Sequence, residues 1–473
     1  MGKCKITIKN NVAYITGDYD TEVVKNVTSY PVAGAFFSPL FKRKLWDGRS
    51  HTFSKKTKSF PFGLTNVVVE ALNGVGTEVE VVDETEWPEV SNNGFDLHTI
   101  EFGKGRYDYQ LEAAKTFVEK RRGILKIATN GGKSAIAAAI THHLNIPTLF
   151  IVPGIDLLYQ TRAMFAKYLD VDVETLGIIG DGNCVYGDWI TFAVIDSLAS
   201  KVDNEDEEFL KIKDTWQLLF TDEAHTSASE TAFSTLSKIP APYRCGISGT
   251  PYSRSDGASL RLTGQTGDII YEIKNKTLVE RGISVQPHLH ILTHKEPILP
   301  KGSAWATVLD RGIVNNESLN RKLVYYAHEH IKEGAQCIFM VDKIAQGNNI
   351  LRIINSLKPD YECFFMRGDL SSDERKQCLA DFSSGKIRVI IGTSVMSTGI
   401  DLSNIDMVVL CGGGKATIPQ LQRIGRGLRS GRGRDKCIIV DFMSFSHKHL
   451  IKHSQARLKT YKEEDCFNIS VVD

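Results

Sequence analysis

The stretch "GILKIATNGGKSAIAAAITHHL", residues 123–144, decides how the chain is read. Its first half is apolar and β-branched, the composition of a strand buried on both faces. Its second half is alanine-rich, with strong helix propensity. Between them a glycine-containing turn leads into Lys133-Ser134. Strand, turn, Lys-Ser and helix is the context of a phosphate-binding loop, where backbone N–H groups and the helix dipole meet an anion. Thr129, Asn130, Gly131 and Gly132 would form the cradle, Lys133 would reach the β- and γ-phosphates, and the Ser134 hydroxyl would hold Mg²⁺. The loop departs from the usual pattern at two places. Ile127 occupies the outer glycine position, and Asn130 stands where a second loop glycine is common. Asparagine tolerates left-handed backbone angles better than other non-glycine residues, so Asn130 is expected to preserve the turn. On this motif alone, a plain strand–turn–helix with a surface lysine remains a competing reading.

A second signal favours the nucleotide site. "LLFTDEAH", residues 218–225, runs an apolar strand straight into Asp222-Glu223-Ala224-His225. Carboxylates at the carboxyl end of a parallel strand sit over the ligand crevice of an open α/β sheet. Asp222 can hold Mg²⁺ through its water shell, and Glu223 can orient or deprotonate an attacking water. A third signal is "PQLQRIGRGLRSGRGR", residues 419–434, where Gln422, Arg426 and Arg429 share one helix face. Two arginines on one edge suit stabilisation of a γ-phosphate by a second domain. The competing reading is a solvated basic helix on DNA phosphates.

Together these elements resemble the superfamily 2 helicases and translocases, and the other motifs of that family follow in order. Gln110 in "YDYQLEAAK" matches the glutamine that reads adenine. "LFIVPGIDLLYQ" and "ITFAVIDSLA" are similar to the strand-tracking motifs of the first domain. "SGTP" (Ser248, Gly249, Thr250, Pro251) resembles the motif that, with His225 and Gln422, couples hydrolysis to movement. "GTSVMSTGIDL" resembles motif V, with Thr398, Gly399 and Asp401 at the junction of DNA and ATP. The agreement runs from about 106 to 441, which makes the loop's missing glycine a variant of the family pattern. "LWDGR", "FPFGL" and "LVERGISVQPHL" are similar to segments of the phage UvsW-type recombination and repair helicases. The resemblance implies an ATP- and Mg²⁺-dependent motor, with ATP between two lobes, acting on branched DNA, including RNA–DNA hybrids. An RNA helicase, which the DEAH string also marks, and an ATP-switched annealing module are the alternatives.

The wider chain fits this frame. Its 473 residues suggest roughly three domains. Short apolar runs alternate with helical segments from about 124 and again after about 284, as two parallel-sheet α/β domains require. The expected architecture is α/β: two RecA-like parallel-sheet helicase domains (99–283 and 284–473) behind a small N-terminal α+β domain (1–98). Net charge is only +1, so any basic surface is local. One candidate is "FKRKLWDGRSHTFSKKTKSFPFGL", residues 41–64. Lys42, Arg43, Lys44, Arg49, Lys55, Lys56 and Lys58 face a single acid there, interleaved with Phe41, Trp46 and Phe53. The cations are candidate phosphate contacts. The aromatics either stack on unpaired bases or form the core of a small domain. Nine cysteines without a C-x-x-C pair suit reduced thiols in a cytosolic compartment. No apolar run approaches the roughly 20 residues that span a bilayer, so a soluble, cytoplasmic monomer is expected. His449 and His453 in "HKHLIKH" lie four apart, but the flanking lysines mark a solvated basic helix. His288 and His290 are read as surface residues.

Overall fold

A computed structural model describes residues 2–252, 257–393, 405–414, 436–463 and 466–472. Their contacts divide the chain into two compact units, Met1–Ile127 with Gly132–Ile273, and Ala128–Gly131 with Lys274–Asp473.

The first unit opens on the antiparallel strands β1 (Lys3–Lys9) and β2 (Val12–Gly17). Asn10 turns between them at φ 49°, a left-handed angle that suits asparagine. Alternation places Cys4 and Ile6 of β1 and Ala13 and Ile15 of β2 in one core. Val68 and Leu72, four apart on the helix Thr65–Gly74, cover it. A separate ribbon pairs β3 (Ser29–Pro31) with β4 (Arg49–His51). β5 (Ser59–Pro61) and β6 (Glu78–Asp83) complete a four-stranded sheet of order β5-β2-β1-β6. Of the three aromatics in the basic segment, Phe53 joins this core and Phe41 stays exposed. Trp46 is half-buried and donates its indole N–H to the Arg49 carbonyl at 2.8 Å. Phe53 thus takes the core reading, and Phe41 stays outside that core.

The larger sheet of this unit contains β7 (Arg122–Ile127), β8 (Thr148–Val152), β9 (Gly177–Gly180), β10 (Asn183–Val185), β11 (Ile190–Val194), β12 (Leu218–Asp222), β13 (Tyr243–Ser248) and β14 (Ile269–Ile273). Its order is β10-β9-β11-β8-β12-β13-β7-β14, parallel throughout except for β10. Phe150, Phe165, Phe192 and Phe220 stack through its centre at 5.1–5.5 Å between ring centroids. Residues near the N-terminus pack directly on this sheet. Asn11 donates to the Ser237 carbonyl at 2.7 Å. Tyr30 is buried in a cluster with Ile124, Ala224, Ala258 and Leu262. Arg122 lies under the rings of Phe62 and Trp87 and donates to Thr85 Oγ1 at 2.7 Å. Burial there pushes its guanidinium down to about 10.

The second unit is a seven-stranded parallel sheet of order β17-β18-β16-β19-β20-β15-β21. Its strands are β15 (Gln286–His294), β16 (Cys337–Met340), β17 (Glu362–Met366), β18 (Ile387–Gly392), β19 (Met407–Leu410), β20 (Lys436–Ser444) and β21 (Asn468–Val472). The helix Lys448–Glu463 is not simply a solvated basic helix. His453 is buried against Trp305, with Nδ1 3.1 Å from the Gly413 carbonyl oxygen. Arg457, on the same helix, forms a buried bidentate pair with Asp441 at 2.8 and 3.1 Å. His290 is half-buried against the Tyr326 hydroxyl, at 2.5 Å, rather than on open surface. All nine cysteines are free, and among the described residues no helix is long and apolar enough to cross a membrane.

Candidate nucleotide site

Three neighbouring strand ends build the site. β12, β13 and β7 lie side by side and run parallel, so the segments leaving their carboxyl ends emerge along one edge. That edge is where open α/β sheets bind ligands. β7 delivers the loop 128–132, β12 delivers Asp222 to His225, and β13 delivers Ser248, Gly249 and Thr250.

The loop turns strand into helix through two left-handed residues. Asn130 has φ 72°, and Gly132, at φ 80°, caps the helix Lys133–Leu144. The Gly131 N–H closes the turn on the Ala128 carbonyl at 3.0 Å. Asparagine thus supplies the backbone angle that the missing glycine would have given. Gly132 has a second reason to be glycine. The buried Gln110, on the helix Asp108–Lys120, lies against it, and a Cβ at 132 would stand 2.2 Å from Gln110 Nε2. The departure from the motif at 130 is therefore met by backbone geometry, with Thr129 and Ser134 flanking the turn.

A continuous polar chain crosses the three strand ends. Lys133 Nζ meets Glu223 Oε1 at 2.7 Å, with the side chains only 19% and 17% exposed. Glu223 Oε2 is 3.6 Å from His225 Nδ1. The same His225 nitrogen is 3.4 Å from Ser248 Oγ, which accepts the Thr250 N–H at 3.1 Å. Asp222 Oδ1 accepts the Glu223 N–H at 2.9 Å. Glu223 itself sits at φ 46°, an angle costing an L-residue roughly 1–2 kcal/mol. Strain of this kind clusters at functional sites. The structure thereby brings Gln110, Lys133, Glu223, His225, Ser248 and Thr250 together from four places in the sequence.

Other expected site residues divide differently. Thr398, Gly399, Asp401, Gln422, Arg426 and Arg429 lie outside the described residues. In the basic segment, Arg49 turns inward to Ser29, donating to its hydroxyl and carbonyl oxygens at 2.8 Å each. Lys55 pairs with Glu22 at 2.8 Å. Lys42, Arg43, Lys44, Lys56 and Lys58 point to solvent. Beside them the sequence reading passed over Phe36, Phe37, Leu40 and Leu45, all more than half exposed. The signal was available: four large apolar residues within ten positions, next to a run of cations.

Comparison with known proteins agrees with this geometry. The family described as the res subunit of type III restriction enzymes matches residues 104–253, and the helicase conserved C-terminal domain matches residues 318–431. By these matches the chain is a helicase that resembles superfamily 2. It resembles the UvsW type within it: the ATP-dependent DNA helicase uvsW of Enterobacteria phage T4 is 23% identical, with 93% of each chain covered. The DNA 3'-5' translocase XPB2 of Sulfurisphaera tokodaii is 27% identical over 68% of this chain and 78% of its own length. Among solved structures, the ATP-dependent type ISP restriction-modification enzyme LlaBIII, bound to DNA, shares the fold with a TM-score of 0.59. It is 15% identical, over 80% of this chain and 32% of that one. The chain is an ATP-dependent helicase.

Proposed function

We propose that this helicase couples ATP hydrolysis to the unwinding or branch migration of branched DNA, such as forks, Holliday junctions and R-loops, as a cytoplasmic monomer. The observation that carries the reading is the Lys133–Glu223 pair at 2.7 Å, linked through His225 to the end of β13. An incoming γ-phosphate competes for Lys133. The Glu223 carboxylate is then released to accept a proton from the attacking water, and the disturbance passes through His225 to Ser248 and Thr250. Gln110, packed on Gly132, reads the base. Ser134 and Asp222, a hydroxyl on the helix after β7 and a carboxylate at the end of β12, are a donor set suited to Mg²⁺. When bound, the ion neutralises charge on the β- and γ-phosphates. Arg426 and Arg429 carry transition-state charge in this reading, and Thr398, Gly399 and Asp401 sense the strand and the nucleotide.

DNA is preferred over RNA because two of the relatives that cover most of this chain are named for DNA, whereas a relative named for RNA matches only 20% of it. The test measures ATP hydrolysis with single-stranded DNA, duplex DNA and RNA, beside strand displacement on forks, Holliday junctions, R-loops and tailed duplexes. DNA should stimulate hydrolysis, branched substrates should be processed fastest, and Lys133→Ala should abolish turnover while DNA binding persists. Stimulation by RNA alone would replace this reading with the RNA helicase. Hydrolysis indifferent to any polynucleotide would leave only an ATP switch.

A further inference from the structure

From the exposed tip of the β3–β4 ribbon, we infer that residues 34–48 form a base-stacking wedge that holds unpaired nucleotides at a branch point. This inference rests on the proposed DNA reading and names the element that would give it branch preference.

The ribbon's base is firmly built. Tyr30 of β3 is buried beside Ala224 of the DEAH segment and lies 5.4 Å from the Arg261 guanidinium. Arg261 donates to Ser50 Oγ at 3.1 Å. Arg49 ties β4 to β3, and the Val32 N–H reaches the Gly48 carbonyl at 2.8 Å. The wedge is thus fixed within the compact unit that also holds Lys133 and the DEAH segment.

The tip is the opposite of its base. Phe36, Phe37 and Leu45 are 60%, 72% and 72% exposed, and the two phenylalanine rings lie 4.1 Å apart. Phe41 is held over Gly48, where a Cβ would stand 2.8 Å from the ring. Phe36, Phe41, Leu45 and Trp46, with Lys42 and Lys44, line a hollow of about 800 Å³. A contiguous apolar surface of this kind marks an interaction site. Charge selects the partner. Residues 34–48 carry Lys42, Arg43 and Lys44 against Asp47 alone, and these three cations make no ion pair among the described residues. Aromatic rings beside unpaired cations match the π-faces and phosphates of a single strand. A protein partner would need an acidic, apolar surface instead.

The test uses the full chain and a fork carrying 2-aminopurine at its first unpaired position. Phe36→Ala with Phe37→Ala should weaken fork binding at least tenfold and abolish the fluorescence change that the parent produces. Phe36→Leu with Phe37→Leu preserves apolarity but removes the rings, and it should fail in the same way. Thermal unfolding of both variants should match the parent, because these side chains are largely solvent-exposed. Parent-like fork binding by either variant overturns the wedge. So does self-association of the parent that disappears in the variants while fork binding persists, since the patch is then a protein interface. The parent's DNA-stimulated hydrolysis is read separately. If that stimulation is absent, it is the DNA reading that fails, and the wedge with it.

Discussion

Replacing Gly132 by alanine is the sharpest test of how the phosphate loop is built. Two separate penalties meet at this residue. Its φ of 80° is left-handed, which costs an L-side chain roughly 1–2 kcal/mol. The new Cβ would also stand 2.2 Å from Gln110 Nε2, where ordinary contact is about 3.5 Å. Gln110 must retreat by about 1 Å, and a forced shift in a packed site costs roughly 1–3 kcal/mol. Part of that is relieved by rotation of the amide, because it is the far end of a side chain. About 2 kcal/mol therefore falls on nucleotide binding, or roughly a thirtyfold weaker affinity. Discrimination between ATP and GTP should narrow as well, since the displaced group is the proposed base reader. Titration with a fluorescent ATP analogue, competed by ATP and by GTP, measures both effects. Asn130→Gly is the counterpart. It relieves a left-handed angle of 72° and should leave affinity and turnover within about twofold of the parent. Parent-like affinity and base preference in Gly132→Ala would refute the assigned contact with Gln110. A large loss in Asn130→Gly would show that the asparagine side chain has a direct role.

The remaining predictions concern chemistry and the second unit. Glu223→Gln should bind ATP but turn it over at least 10²-fold more slowly in steady-state assays, because an amide cannot accept the water's proton; near-normal turnover would assign the base elsewhere. Arg426→Ala and Arg429→Ala should slow hydrolysis by up to about 10³-fold with little change in ATP affinity. If they instead weaken DNA binding and reduce its salt slope, they are phosphate contacts. Arg457→Met strands the Asp441 carboxylate in the interior and should cost about 3–5 kcal/mol in urea unfolding, whereas Arg457→Met with Asp441→Asn should recover much of it. Equal losses in single and double variants would show that the pair is not the source.

Much of the motor was legible because its signals are local. Continuous apolar runs such as "TLFIV" and "ITFAV" became β8 and β11, and the DEAH string sits at the end of β12. The left-handed turn at Asn130 was readable from residue type alone. What escaped depends on partners distant in sequence. "EVEVVD" reads as a charged stretch, yet it is β6, and its pairing is set by β1, some 75 residues away. Arg49 and Lys42 look alike in sequence. One is drawn inward by the Ser29 oxygens, and the other is left in solvent. His453 carries no local mark of burial, because Trp305 and the Gly413 carbonyl approach it from elsewhere. Composition gives each residue's chemistry; long-range packing decides which atoms remain free to use it.

That distinction bears on the first hundred residues, which read as a small separate domain and therefore as removable. Their packing argues against a neutral deletion. Tyr30 lies in one cluster with Ile124 and Ala224, the latter inside the DEAH segment itself. A Cβ on Gly63 would stand 1.9 Å from the Thr263 carbonyl oxygen, so the two backbones touch. Trp87 covers both Arg121 and Arg122, and Phe62 covers Arg122 from another direction. Removing residues 1–98 uncovers all of these groups. Each large side chain withdrawn from such contacts represents roughly 1.5–3 kcal/mol of burial, and Tyr30, Phe62 and Trp87 together reach into the range of about 5–15 kcal/mol that holds a typical domain folded. The truncated chain should be poorly soluble or melt well below the parent, and its ATP hydrolysis should fall even without DNA. In the full chain, Tyr30→Ala alone should cost about 3–5 kcal/mol, as truncation of a buried aromatic does. A soluble 99–473 fragment with the parent's unfolding midpoint and basal hydrolysis would show that the N-terminal layer only rests on the motor. A fragment that unfolds makes that layer part of the motor's own core, and the wedge it carries is then built on the same core as the DEAH segment.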